Sequence, residues 1–455
     1  MIILNAILRS LDLGLAMPET TQLPPGPRYP RLLQTMGWVL RPTVFLARCR
    51  EQYGNVFTLD IAREKTWVLL SDPDAIREVF TGDTTLLHAG KGNALLLPIL
   101  GSRSVVLLDD EAHLTTRKLI LPAFHGARMQ RYGDLMREIA EREIERWPVC
   151  EPMALLPRMR AVTLEVIMRA VFGMESDNDL RHMRRVISDL YAASKGWRAL
   201  LGMVMFGSAS IRWVRPLERA LASVDTALFD HIRTRRRDPT LAGRDDVLSQ
   251  LLQARYDDGS PMTDKELRDQ LVTLLWAGHT TTATSLTWAV ERLVRHPDKV
   301  ERLRADMAQG NHAYTDAVVK ETLRLRPIIP IVVRRLVEPM EIAGWRLPAG
   351  VSVVPCIYLV HHRPDLYPDP NRFEPERFLH SHPSANTWIP FGGGTHRCAG
   401  ASFASFEMRV VLEALVAHKQ LRPDTSPGES VSARLVIWSP RRGGQIVLEP
   451  YISAL

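Results

Sequence analysis

Cysteine is scarce in this 455-residue chain, which carries only Cys49, Cys150, Cys356 and Cys398, with no two of them in C-x-x-C spacing. That excludes a zinc ribbon and a disulfide framework. It suits a reducing cytoplasm, where a thiol packs as a small apolar residue, and three of the four are expected to do so. Long apolar runs are missing as well. Residues 1–17 are interrupted by Asn5, Arg9, Ser10 and Asp12, short of the roughly 20 apolar residues of a spanning helix. They also lack the basic start and small-residue cleavage site of a signal peptide. Residues 1–22 are expected to form a poorly ordered or amphipathic tail, with peripheral membrane contact as its functional reading. Neither sign of charge dominates: 58 Lys and Arg stand against 51 Asp and Glu, a formal +7. No nucleic-acid partner is expected on that balance, and a basic patch for an acidic partner is the most it supports. Repeats, low-complexity tracts and long linkers are absent too, so residues 23–455 read as a single domain.

What is present is a large core, with 45% hydrophobic residues. From residue 74 to about 296 the pattern is helical, with loops expected at 81–104, 148–157, 196–208 and 238–246. Strands are predicted at Val56–Ile61, 66–70, Met340–Ile342 and 351–354. A terminal hairpin of 435–438 and 445–448, turned by Arg441-Arg442-Gly443-Gly444, completes them. The fold class is mainly α with a small β region. One helix stands out. Thr263 and Glu266 form a capping box, and no proline intervenes before Pro297, giving about 32 residues and roughly 48 Å. Its middle, Trp276-Ala277-Gly278-His279-Thr280-Thr281-Thr282, is poor in helix formers, and its hydroxyls can bond back to the preceding turn and distort the ladder. Two readings stay open: a close helix crossing, or a helix that passes a flat ligand and opens a polar groove beside it.

The strongest chemical signal is Phe391-Gly392-Gly393-Gly394-Thr395-His396-Arg397-Cys398-Ala399-Gly400. Consecutive glycines allow a backbone path closed to other residues and leave no side chains over whatever lies against the loop. A helix should follow directly, with Phe403, Phe406, Val410, Leu412 and Leu415 as its apolar positions. Cys398 would then sit where free N–H groups and the positive helix end favour a thiolate, a good ligand for iron. Gly400 would let the backbone pack tightly beneath it. A buried structural cysteine is the alternative. A phosphate loop is excluded, because no Lys-Ser/Thr follows the glycines.

This ten-residue run resembles the haem-binding signature of the cytochrome P450 family, and three further motifs follow in the family's order. The resemblance covers nearly the whole chain and implies that fold, with the long helix lying over haem b (iron protoporphyrin IX). Cys398 would be the iron ligand, with Phe391, Gly392, Ala399 and Gly400 against the cofactor. Glu321-Thr322-Leu323-Arg324 resembles the family's buried E-x-x-R pair, and Arg377 would join it as a structural core. His113 and Arg117, four residues apart on one helix face after a cap at Asp109-Asp110, would meet haem propionates as a cationic pair. His396 and Arg334 would do likewise, with Arg335 the alternative in the unsettled strand register. Ala277-Gly278-His279-Thr280-Thr281 resembles the oxygen-binding motif, with Ala277 and Gly278 lining the groove and Thr281 catalytic. Thr280 stands where the family carries an acid. A threonine cannot release a proton near neutral pH, so water-assisted delivery is expected.

The implied activity is monooxygenation: one oxygen atom of O2 enters a small hydrophobic substrate. The expected lining is Leu86, Leu95, Leu96, Trp276, Ile328, Ile329, Ile331 and Val332, with Leu87 and Leu97 beside them. That aliphatic set suits a lipid-, steroid- or terpene-like molecule. No flavin or nucleotide motif is present, so a separate ferredoxin or flavoprotein should donate electrons, with Arg397, Arg409 and Lys118 as candidate docking residues. The apolar segment 197–206 is read as an entry gate, a membrane contact or core. A cytoplasmic monomer is expected, with peripheral membrane association through the tail as the variant. Thr280 keeps alive a haem-thiolate isomerase, dehydratase or peroxide-driven enzyme. A haem sensor or carrier without turnover is the reading from another class.

Overall fold

The helical body begins where short polar side chains cap it. In the computed structural model, which describes residues 23–62, 65–124, 128–194, 215–381, 383–434 and 436–451, Asp72 accepts from the N–H groups of Asp74 (3.0 Å) and Ala75 (3.2 Å). Pro73 opens that helix, Pro73–Thr81, in the position where its missing N–H costs nothing. The tail at 1–22, the loop at 196–208 and the apolar segment at 197–206 lie outside the described residues. The helices that build the site are α1 (Asp110–Ile120), α2 (Arg128–Glu145), α3 (Leu155–Ala170), α4 (Asp264–Leu293), α5 (Ala313–Leu325) and α6 (Ala401–His418).

Helix α4 starts as expected. Thr263 Oγ1 accepts from Glu266 N at 3.2 Å and Glu266 Oε2 accepts from Thr263 N at 2.9 Å. It ends at Leu293 rather than His296, because the residue before a proline is driven out of the α region; His296 sits at φ −134°, ψ 71°. Five of its threonine and serine hydroxyls, at Thr273, Thr281, Thr284, Ser285 and Thr287, donate to the carbonyl four residues earlier. The helix nevertheless runs unbroken.

A five-stranded sheet lies against the body: β1 (Val56–Ile61), β2 (Lys65–Leu70), β3 (Leu87–His88), β4 (Arg334–Leu336) and β5 (Ser352–Pro355), in the order β1-β2-β5-β4-β3. β2 and β5 run parallel and the other neighbours antiparallel. The expected terminal hairpin does not form. Ile437–Pro440 pairs with Val431–Arg434, while Gln445–Pro450 pairs with Lys419–Pro423 and Pro152–Ala154. Gly443 and Gly444, at φ +81° and +69°, carry the chain from one sheet to the other. The stretch 81–104 also departs from a plain loop, holding β3 and the short helices Ala89–Gly92 and Leu97–Leu100. Among the thiols, Cys49 and Cys356 are buried as expected. Cys150 is exposed, in a left-handed turn at φ +62°.

Beneath the future site lies a buried ion pair. Arg324 Nε and Nη2 donate to Glu321 at 2.6 and 2.8 Å, and both side chains are 0% exposed. The remaining donors of Arg324 reach the carbonyls of His361 (2.8 Å), Pro370 (2.8 Å) and Arg372 (3.2 Å). Arg377 Nε closes the triad on Glu321 at 3.3 Å. All five N–H donors of Arg324 are therefore matched and both oxygens of Glu321 accept, the condition under which two charges survive desolvation. Arg324→Ala is expected to cost about 3–5 kcal/mol by stranding Glu321. Urea denaturation checks this; a loss under about 1 kcal/mol, the range of an exposed pair, would show that the pair bears no such role.

Candidate active site

The glycine loop is shaped by what lies behind it. A Cβ on Gly393 would stand 2.2 Å from the Phe80 ring, and one on Gly394 2.4 Å from Phe80 O. Gly392 and Gly394 also lie at φ +67° and +66°. Two of the three glycines thus admit Phe80, a partner invisible in the motif, rather than clearing a ligand surface. Gly400 caps α6, and no atom lies within 4 Å of a Cβ placed there, so the expected tight backbone packing beneath Cys398 is absent. Cys398 N donates to Phe391 O at 2.9 Å, which closes the loop.

Cys398 is accessible at its surface yet set deep in the protein. Burial raises its thiol above the ordinary value; the Gly400 N–H, Arg397 and Arg117 pull it back only in part. The helix end therefore does not secure a thiolate unaided. Ionisation is coupled to the positive charge of whatever the sulfur ligates.

Around the thiol stand His113, Arg117, Arg334 and His396. The rings of His113 and His396 stack at 3.6 Å and 11°. His396 Nε2 lies 3.4 Å from Leu108 O. Burial, then Arg117, pushes His113 down to about 4, and burial, then His113, pushes His396 down to about 3. Both are neutral near pH 7, so the expected His113/Arg117 cationic pair carries one charge rather than two. The strand register settles Arg334 against Arg335. Arg334 is buried and donates to Val333 O (3.0 Å) and Gly393 O (3.3 Å), while Arg335 donates to Gly350 O at the surface. Asp109 does not cap α1. Its carboxylate accepts from Gly90 N (2.7 Å) and Lys91 N (3.0 Å) and caps that turn instead.

Above the loop, α4 offers an accessible stripe in the middle of a buried helix: Leu274, Ala277, Gly278 and Thr281 at i, i+3, i+4, i+7. Both readings of its small residues apply at once. A Cβ on Gly278 would press Ile167 of α3 at 3.0 Å, so this half-buried glycine serves the crossing while it also stands in the stripe. Ala277 is exposed and Thr281 Oγ1 donates back to its carbonyl, leaving the hydroxyl oxygen free to accept. Thr280 points elsewhere; it is buried, and its hydroxyl has no hydrogen-bond partner. Next to it His279 is buried, with Nδ1 3.0 Å from Thr163 Oγ1 and its ring edge-on to Tyr191 at 5.7 Å. Arg160 lies 4.9 Å over the same Tyr191. The sequence signals missed here were a histidine, an arginine and a threonine on otherwise apolar helices.

The loop before α1 is pinned to α4 by contacts that no motif announced. Asp269 accepts from Arg103 N (2.9 Å), Gln270 accepts from Val105 N (3.0 Å), and Ser104 and Thr273 share a hydrogen bond of 2.7 Å. Of the expected pocket residues, Leu96 and Trp276 are half-buried against the large core, beside Val105 and Val106. Val332 would touch a Cβ on Gly392 at 3.3 Å. Leu86 and Leu95 are half-buried, Ile328 is buried, and Ile329 and Leu97 are exposed. Ile331 packs among Leu46, Phe57 and Trp438, and Leu87 is sheet core; both leave the proposed lining. Lys118 is paired with Asp257 at 2.8 Å and Arg409 with Asp316 at 3.4 Å, while Arg397 is exposed.

Comparison with known proteins agrees with this arrangement. A family model described as Cytochrome P450 matches residues 24–446. A Mycobacterium tuberculosis protein named cytochrome P450 135B1 is 44% identical over 430 residues, 93% of this chain and 91% of that protein. Another from the same organism, named cytochrome P450 138, is 38% identical over 432 residues, covering 95% and 97%. Among solved structures, retinoic acid-bound cyanobacterial CYP120A1 shares the fold at a TM-score of 0.82 and 24% identity, over 95% of this chain and 100% of that one. Fold and relatives together define a haem-thiolate monooxygenase. The chain belongs to the cytochrome P450 family; its cofactor is haem b, and it uses O2, an organic substrate and a redox partner.

The residues present fit that cofactor. Among the described residues no three His, Cys, Asp or Glu side chains gather to cage a metal. An accessible thiol standing singly suits an iron whose other ligands come from a macrocycle, and Arg117 and Arg334 would supply charge for its carboxylates.

His279 yields a test of the burial described above. Desolvation, then Arg160, holds it at about 3, against an ordinary 6.5. Between those values the unfolded chain takes up a proton that the folded chain refuses. Stability should therefore fall as pH drops through that window, by up to about 1.4 kcal/mol per unit from this group. Urea midpoints at pH 7.5, 5.5 and 4.5 should fall less steeply for His279→Gln than for the parent; equal slopes would reject the assignment.

Proposed function

We propose that this P450 hydroxylates or epoxidises a lipid-, steroid- or terpene-like substrate, with Cys398 as the iron ligand and electrons from a separate ferredoxin or flavoprotein. The observation that carries the reading is the accessible Cys398 ringed by Arg117, Arg334, His113 and His396. Haem b, when bound, supplies the reductive activation of dioxygen. The chain's residues do the rest. Arg117 and Arg334 would neutralise the propionates and His113 would donate its single N–H to one of them, with His396 stacked on His113 and its own N–H turned to Leu108 O. Phe391, Gly392, Ala399, Gly400 and Ala277 would hold the macrocycle. Thr281 accepts a hydrogen bond through the lone pairs that its bond to Ala277 O leaves free, and it relays a proton by turning its own hydroxyl proton away from Ala277 O and releasing it as another is received. Thr280, buried and without a partner, relays through a water to Thr281 or to His279 in place of the family's acid. Leu86, Leu95, Leu96, Trp276, Ile328 and Val332 offer the substrate apolar walls, Val105 and Val106 extending them, with Ile329 at the rim.

Arg397, exposed one residue from the thiol, is the centre of the proposed docking face for the donor. Residues 23–455 act as one catalytic unit, a monomer working in the cytoplasm. Among the described residues no helix is long and apolar enough to cross a membrane. Peripheral contact is supported instead by the helix Arg31–Leu40, which exposes Leu32 (62%), Leu33 (52%), Met36 (52%) and Leu40 (68%) between Arg28, Arg31 and Arg41.

A carbon monoxide difference spectrum of the reduced protein should show the thiolate-ligated Soret band, lost in Cys398→Ala and kept in Cys356→Ala. Retention in Cys398→Ala would overturn the ligand assignment. Titrating fatty acids, steroids, terpenes and retinoic acid should give a spin-state shift for at least one of them; no shift with any would remove the substrate class. Thr281→Ala should leave that shift intact while diverting most consumed NAD(P)H to hydrogen peroxide; unchanged coupling would displace Thr281 from the proton path.

A further inference from the structure

Away from the thiol, between the C-terminal part of α4 and the end of α5, lies a cavity of about 230 Å³. Trp288, Arg326, Tyr358, His362, Asn371 and Trp438 are among its walls. None of these residues belongs to the site described above. The cavity is open to solvent on one side and its lining is mixed polar and apolar, and its volume admits a substituted ring.

Arg326 is the unusual member. Its Nη1 donates to Leu325 O at 3.1 Å, its guanidinium lies 5.2 Å over the Trp288 ring, and its Nε is buried with no hydrogen-bond partner. Burial, then Arg292, pushes it down to about 10, so it remains charged at neutral pH. The carboxylates nearby are committed elsewhere. Glu291 accepts from Arg292 (2.5 and 2.6 Å), Arg295 (3.0 Å) and Glu429 N (3.0 Å). Glu429, on the cavity wall, accepts from Arg442 N and Gly444 N, both at 3.0 Å. Among the described residues this half-buried guanidinium makes no ion pair of its own, and it borders a space large enough for a counter-ion. The walls beside it are aromatic: Tyr358 meets Trp438 edge-on at 5.2 Å and lies 4.2 Å from the His362 ring. His362 is held at about 3 by burial and then Arg324, so it adds no charge.

We propose that this cavity is a second small-molecule site, taking a compact carboxylate that carries a flat apolar group. The carboxylate pairs with the terminal nitrogens of the Arg326 guanidinium, and the flat group lies beside Tyr358 against the edges of Trp288 and Trp438. The proposal is independent of the haem-site reading, since it uses none of those residues.

The test is isothermal titration of the haem-loaded protein with sodium benzoate, with benzyl alcohol as the uncharged control. A saturating azole occupies the haem site throughout. One equivalent of benzoate should bind with no change in the Soret band, at least ten-fold more tightly than benzyl alcohol. Arg326→Met should weaken it ten-fold or more. Asn371→Trp, at an exposed rim position, should abolish binding while leaving the melting temperature and the carbon monoxide spectrum unchanged, and it carries the test if Arg326→Met does not fold. Absence of binding at millimolar benzoate would overturn the proposal. So would competition by the azole, equal affinity for benzyl alcohol, or unaltered binding in either folded variant.

Discussion

The guanidinium of Arg324, sealed from solvent, holds the parts of this structure in register. On one side it is matched by Glu321, on the other by the carbonyl oxygens of His361, Pro370 and Arg372. His361 carries the constraint onward. Its Nδ1 donates to Arg324 O (3.2 Å) and its Nε2 accepts from Ile389 N (2.9 Å). Ile389 O in turn accepts from Gly392 N, and Phe391 O from Cys398 N. A continuous run of hydrogen bonds therefore leads from a buried ion pair to the residue that presents the thiol. Burial keeps His361 far below its ordinary range, so its single-donor, single-acceptor state does not change near neutral pH. Polar networks of this kind specify one arrangement when every member is satisfied.

The thiol end of that run is built against the grain of local electrostatics. Desolvation raises Cys398, and the two stacked histidines beside it are kept neutral by burial and by Arg117 and Arg334. The site thus sets the positive charges of Arg117 and Arg334 near a thiol whose ionisation burial opposes, an imbalance that the proposed haem ligation would relieve. The loop's rigidity comes from Phe80, whose ring fills the space that side chains at 393 and 394 would need.

Helix α4 shows how one segment meets two demands. Its small residues lower its intrinsic preference for helix, yet a capping box at one end and burial against α3 compensate. Gly278 leaves room for Ile167 and, with Ala277 and Thr281, belongs to the accessible stripe. Asp269, Gln270 and Thr273, one to two turns earlier, hold the loop that precedes α1. The same helix thus fixes the floor and a wall of the proposed substrate space.

Much of this was legible in the residues. The thiol loop, the E-x-x-R pair with Arg377, the long helix and its cap each depend on a short stretch of chain whose chemistry is local. The assignment to the cytochrome P450 family follows from those stretches in their order. Other features were decided in three dimensions. The last two strands find partners at 431–434, 419–423 and 152–154 instead of each other, because a strand's neighbour is chosen by packing across the whole molecule. Arg334 faces the site and Arg335 the solvent because β4 alternates its sides against β5. The neutrality of His113, the orphaned hydroxyl of Thr280 and the uncompensated charge of Arg326 depend on burial, which no local pattern states. Sequence determined the family and the ligand loop, because covalent neighbours suffice to define them. Tertiary structure decided which side chains are desolvated and with whom they pair, because those energies belong to contacts between distant parts of the chain.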